Sequence, residues 1–208
     1  FILKQLGLWE SEITAMIKDL KQIHEQPHRF YHTWEHIIEL LSHVFQIAIE
    51  QKLSDDEIAT LWAAILFHDS VYEVHRTYYK DNEIRSAGLF REILEPKIGK
   101  NSPKARQVYQ IITDTAHGVT EVNKNDKLSC LMHDIDLAIL WSNPTRYAQY
   151  VHDIITELGI YTDTEFRQKR KELLQSFLDN PELFITQYGK DKFDAQARIN
   201  LANEIEKL

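Results

Sequence analysis

Apolar residues recur along most of the chain at the three- and four-residue spacing of amphipathic helices. Between Thr33 and Gln51, the positions Ile37, Leu40, Leu41, Val44, Ile47 and Ala48 fall on one stripe, which predicts a helix with a core-facing side. The next helix is announced by Ser54-Asp55-Asp56-Glu57, a capping box in which Ser and Glu satisfy orphan backbone N–H groups reciprocally, and the pattern carries it to about His68. Segments 8–25, 81–94, 103–116, 126–141, 144–158, 163–178 and 191–207 read as further helices, with Pro96, Pro103, Pro144 and Pro181 at or near the boundaries. Ser70 to Lys80 breaks the pattern, because Val71, Tyr72, Val74, Thr77, Tyr78 and Tyr79 are β-branched or aromatic; a structured loop is predicted there. No pair of alternating segments competes as strands, and no internal repeat or linker is visible. The expectation is an all-α protein, an irregular helical bundle forming a single domain over residues 1–208 with a C-terminal helical extension.

Composition narrows the partners. Only 6 Gly and 5 Pro in 208 residues leave little material for sandwiches or barrels, which agrees with helices. Lys and Arg number 24 against 32 Asp and Glu, a net charge of −8, which is the wrong sign for a long nucleic acid. A small anionic substrate is still compatible if a metal supplies local positive charge. The single cysteine, Cys130, has no intramolecular disulfide partner, and no apolar run of about 20 residues suggests a membrane span, so a soluble cytoplasmic protein is expected.

The candidate chemistry lies where ionisable side chains interrupt apolar faces. On the wheel that places Ile58, Leu61, Trp62 and Ile65 together, His68 and Asp69 fall on or beside the same face. Burying such a pair is costly unless it is hydrogen-bonded, paired or metal-bound. A bare His-Asp dipeptide also fits a helix C-terminus in which both residues cap the turn. His36 offers a second imidazole near the core one helix upstream. Asp134 and Asp136 interrupt the apolar run from Leu128 to Trp141.

These residues, in this order, resemble the HD superfamily of metal-dependent phosphohydrolases, whose motif is a His, then a His-Asp pair, then a distant Asp. More narrowly, the chain is similar to a bacterial family of predicted HD phosphohydrolases. The matching segments are His28 to His36, Phe67 to Tyr72, Asp81 to Ala87, Asp134 to Leu140 and Ala197 to Leu201. The resemblance implies a bundle of HD-domain type and a divalent metal held by His36, His68, Asp69 and Asp136. Asp136 is preferred to Asp134 because the superfamily's Asp is usually followed by Leu or x-Leu, and because the wheel sets it slightly nearer the apolar face. Asp134 then becomes an acceptor that orients a ligating His or a metal-bound water.

Two imidazoles and two carboxylates suit Mn, Fe, Co, Ni, Zn or, less readily, Mg. The reaction implied is attack of metal-activated water on a small phosphoester, with a nucleotide as the expected substrate. His32 is a candidate to contact phosphate or stiffen the site, with a backbone-bonded helix-start His as the alternative. Asp81, Asn82 and Glu83 are candidates for a general acid or water-orienting group, or else form a solvated first helical turn. His117 is a candidate oxyanion donor or second-metal ligand. Arg29, Lys80 and Arg85 are candidate phosphate cations, and Glu73 a further proton carrier. Two other functions fit the same residues: an HD-type diiron oxygenase, and a non-catalytic metal-binding or ligand-sensing module.

Overall fold

The computed structural model describes residues 2–74, 81–116, 122–159 and 163–208, and among them all regular structure is helical. After a 3₁₀ turn at Ile2–Leu6 come α1 (Glu10–His24), α2 (Trp34–Glu50) and α3 (Asp55–Phe67). These are followed by α4 (Asn82–Ile93), the one-turn α5 (Glu95–Ile98), α6 (Pro103–Asp114) and α7 (Lys127–Asp136). The last of these tightens into a 3₁₀ segment at Leu137–Trp141 before α8 (Pro144–Glu157), α9 (Asp163–Asp179), the short α10 (Gln187–Gly189) and α11 (Ala195–Ile205). No described helix is long and apolar enough to cross a membrane.

Local chemistry sets the helix starts. Ser54 Oγ accepts the Glu57 backbone N–H at 3.2 Å and Glu57 accepts the Ser54 N–H at 2.8 Å, so the capping box predicted for α3 is formed. Asp126, Ser102 and Asn143 cap α7, α6 and α8 by accepting backbone N–H groups of the first turn, and the latter two precede Pro at the first helical position. The 3₁₀ turn at 2–6 and the short helices α5 and α10 are too brief to leave a periodic signature.

The central element is α3. From Ala59 to Phe67 only Trp62 is not fully buried, because α2, α4, α6, α7 and the N-terminal 3₁₀ turn surround the helix on every side. The wheel predicted one buried face with Trp62 on it; the structure instead buries every side of α3 from Ala59 to Phe67 and leaves Trp62 as the half-buried position. Ala59, Ala63 and Ala64 keep its girth small enough for that packing. One cluster of buried apolar residues continues from Leu3 through α3 and α7 to Leu201 on α11. The C-terminal helices share it: Leu174, Phe184, Phe193, Ala197 and Leu201 are all buried. There α11 packs on α9 and on the 3₁₀ segment, and Asn200 donates to the carbonyls of Leu140 and Ser142 at 2.8 Å each. That bond pair satisfies the last carbonyls after α7 and fixes how the helix ends.

Asp134 belongs to this scaffolding. Its carboxylate accepts the backbone N–H groups of Ile185 (2.7 Å) and Thr186 (2.9 Å) and the Thr186 hydroxyl (2.5 Å), locking α7 to the turn that leads into α10. A Cβ at Gly189 would collide with this carboxylate, which is why the smallest residue stands there. The expectation that Asp134 orients a ligating His or a bound water is thus corrected: a carboxylate with three hydrogen bonds to the 185–186 turn is committed to holding helices together.

Candidate metal centre

Three helix ends meet at one point. His36 lies in the first turn of α2, His68 and Asp69 directly follow α3, and Asp136 is the last residue of α7. Two of these are C-terminal ends, where the helix dipole places partial negative charge and favours a cation.

The side chains converge. His36 Nε2 is 3.6 Å from Asp69 Oδ2 and 3.6 Å from Asp136 Oδ1, while His68 Nε2 is 2.9 Å and 3.5 Å from the same two oxygens. Ligand atoms of His36, His68 and Asp69 all fall within 4.8 Å of one another. The imidazoles are sealed, at 2% and 1% exposure, whereas the Asp69 and Asp136 carboxylates retain 15% and 13%. The cluster is therefore closed on its histidine side and reachable past its carboxylates.

Hydrogen bonding supplies the test of fit. His68 Nδ1 donates to the Ile65 carbonyl at 2.8 Å, which places the proton on Nδ1 and turns the Nε2 lone pair inward. A backbone partner on the far nitrogen is the usual arrangement of a ligating imidazole. Both ring nitrogens of His36, and Nε2 of His68, are buried without a hydrogen-bond partner among the described residues. Buried polar atoms are rarely left so. A cation coordinated by His36 Nε2, His68 Nε2, Asp69 and Asp136 would satisfy two of these three nitrogens.

The electrostatics agree. Burial opposes a proton on His68, yet the Asp69 and Asp136 carboxylates override it and raise the imidazole well above its usual range. Burial likewise opposes ionisation of Asp69, but His68 and His32 draw its carboxyl below the ordinary carboxylate range. Both shifts state that the cluster draws positive charge to its centre, as a proton or as a metal ion. The sign of the pH dependence follows. With His68 protonated, metal must displace that proton, so metal binding strengthens as pH rises through the raised His68 pKa, by up to about tenfold per unit. The metal-free protein behaves oppositely: stability from the protonated His68 is complete below the unfolded value and is lost as pH rises through the folded one. Calorimetric titration of Mn²⁺ across a pH series, with proton release read from buffers of different ionisation enthalpy, checks both signs.

Surrounding residues hold the motif in place. Arg29 is buried and donates to the carbonyls of His32 (3.1 Å), Asp69 (2.7 Å) and Ser70 (3.1 Å). It therefore positions the His-Asp segment instead of awaiting a phosphate. Burial and the adjacent Arg29 push His24 down to about 3, so it stays neutral where Arg29 contacts its Nδ1 at 3.4 Å. Asn82 pairs its amide with both backbone groups of Glu73, at 3.1 and 3.0 Å, and the Ser86 hydroxyl does the same for Val71, at 3.0 and 3.3 Å. The proposed catalytic role for Asn82 is thus corrected: its polar atoms anchor the loop after His68-Asp69 to α4. Asp81 is exposed at the start of α4, Glu83 is half-buried in its first turn, and Glu73 pairs with Arg85 at 2.9 Å. His117 and Lys80 lie outside the described residues.

His32 is brought beside the cluster, its ring centroid 5.7 Å from that of His36. Its Nδ1 meets the buried carboxylate of Glu157, a residue the motifs do not mark. The signal is present in α8, where Tyr147, Tyr150, Ile154 and Glu157 share the buried side at helical spacing, leaving one acid on an otherwise apolar stripe.

A cleft of about 570 Å³ opens at His36, with Glu35, Glu39 and Asp153 outnumbering Arg146 on its walls. A larger cavity of about 740 Å³, near the starts of α3 and α6, contains none of the four cluster side chains.

Fold and site together define an all-α bundle with a buried two-His, two-carboxylate cluster at converging helix ends. No protein-family model and no curated protein matches the chain.

Proposed function

We propose that this protein is a metal-dependent phosphohydrolase of HD type, acting on a small phosphoester such as a nucleotide. The observation that carries the reading is the convergence of His36, His68, Asp69 and Asp136 with His68 already held in the tautomer that turns Nε2 inward. The order of these residues in the chain, and the several motifs that accompany them, support the same family.

A divalent cation held by the four side chains supplies Lewis acidity toward water and a phosphoryl oxygen. The chain's own residues do the rest. Ile65, through its carbonyl, fixes the His68 ring; Arg29 fixes the backbone of Asp69; the two partly exposed carboxylates leave the approach through which a small substrate enters. With a net charge of −8, the chain leaves the counter-charge for a phosphate to the cation itself.

The test is a panel of nucleoside monophosphates, cyclic nucleotides, dinucleotides and a chromogenic phosphodiester, each with Mn²⁺, Co²⁺, Ni²⁺, Zn²⁺ and Mg²⁺. Turnover that needs the metal and is lost to chelator is expected. Stoichiometric metal binding with no turnover across the panel would favour the ligand-sensing module, and oxygen consumption with two bound irons would favour the oxygenase.

A further inference from the structure

Glu157 uses its two carboxylate oxygens differently. Oε2 accepts three successive backbone N–H groups, from Phe30 at 2.8 Å, Tyr31 at 3.0 Å and His32 at 3.1 Å. Oε1 faces Nδ1 of the His32 ring at 2.5 Å. The ring is further fixed by stacking on Tyr72, with centroids 4.1 Å apart and planes 28° from parallel. Burial, and after it the nearby Glu157 charge, raise the Tyr72 phenol well above its ordinary value. Clamping the 30–32 turn needs only Oε2. The second oxygen is spent on the imidazole of a residue whose ring stands beside the cluster.

We propose that Glu157 is a positioning residue: it holds the Nδ1–H of His32, and so presents Nε2 to the ligand that occupies the metal cluster, as an N–H donor to its oxygen when the ring is protonated and as an acceptor from a bound water or P–OH when the ring is neutral. Donor counting carries the tautomer. An ionised carboxylate has no hydrogen to give, so the proton in the Glu157–His32 bond belongs to Nδ1. Burial works against ionisation of Glu157, but His32 and the backbone N–H groups hold its carboxyl down at about 2, in the ionised form. Nε2, at the far edge of the ring, is then the nitrogen left for an incoming oxygen. The role toward a bound ligand rests on reading the cluster as a metal site; the tautomer does not.

Glu157→Gln tests the assignment. Its carbonyl oxygen must take over the three backbone N–H groups, because an NH₂ there would face three donors. The amide nitrogen then turns to His32 Nδ1 and forces the proton onto Nε2. Histidine ¹⁵N spectra, recorded on the alkaline side of the ring's titration and assigned by loss of the signal in His32→Gln, read the tautomer directly. Titration of inorganic phosphate into Mn²⁺-loaded protein reads the consequence. The expected result is Nδ1–H in the wild type and Nε2–H in Glu157→Gln, with Mn²⁺ affinity kept and phosphate affinity changed about tenfold in both variants. A wild-type proton on Nε2 overturns the proposal, and this measurement does not depend on any variant folding. An unchanged tautomer and phosphate affinity in folded Glu157→Gln reduces the residue to a turn clamp and overturns it equally. Failure of the wild type to bind Mn²⁺ removes the metal reading and with it the role toward a ligand, while the tautomer is still decided.

Discussion

His68→Ala and Asp69→Asn are expected to abolish divalent-metal binding and metal-dependent turnover while leaving a folded helical protein. Each removes one of four donors. Residues that merely support a ligand already change affinity about 10–100-fold, so losing a ligand should exceed about a hundredfold. The scaffold has little need of them. His68 donates one hydrogen bond from Nδ1, to Ile65, worth about 1 kcal/mol net; its other contacts are with the Asp69 and Asp136 carboxylates of the cluster itself, and Asp69→Asn preserves the side-chain volume. Around them α3 is packed on all sides by residues outside the cluster. Circular dichroism, bound metal and single-turnover hydrolysis on the same preparations separate the effects. If both substitutions unfold the chain, the cluster is a structural staple and the enzyme reading falls.

Glu204→Ala should cost about 3–5 kcal/mol of stability. Arg170 and Glu204 are both buried, with Arg170 Nε 2.8 Å from Glu204 Oε1 and Nη2 3.2 Å from Oε2. Tyr147 donates to the same carboxylate at 2.6 Å, and Tyr150 accepts from the guanidinium at 3.3 Å. Truncating the acid strands a buried cation and a buried phenol together. Against a typical total of about 5–15 kcal/mol, that loss is large. Urea unfolding measures it, and replacing both charged partners by apolar residues should recover much of the loss. An unchanged midpoint for Glu204→Ala would show that Arg170 finds other partners. The network also bears on the site: Tyr150 packs edge-on against Tyr31, and Tyr31 against His36, at centroid distances of 4.7 and 4.8 Å.

The helices were legible because their signals are local. Periodicity, the Ser54–Glu57 box and the prolines before α6 and α8 place nearly every long helix within a few residues. What periodicity could not show is depth. A wheel assumes one wet side, and α3 has almost none, so the inward direction of His68 had to come from its position at the helix end. The cluster was legible as a set of charges without visible partners. Sequence sets Asp134 and Asp136 two residues apart on one apolar run, and the structure separates them by what each touches: Asp136 stands at the imidazoles, Asp134 at the 185–186 turn. A motif residue is read as chemistry or as scaffolding only once its hydrogen bonds are known, as Arg29 and Asn82 illustrate. Glu157 stayed hidden because its partners lie about 125 residues upstream.

The most direct test of the central claim is an anomalous-scattering map from crystals of the protein loaded with Mn²⁺. The account predicts an ion between α2, α3 and α7, with His36 Nε2, His68 Nε2 and one oxygen from each of Asp69 and Asp136 at about 2.0–2.3 Å. An ion held elsewhere, or no anomalous peak among these four side chains at saturating Mn²⁺, would contradict it.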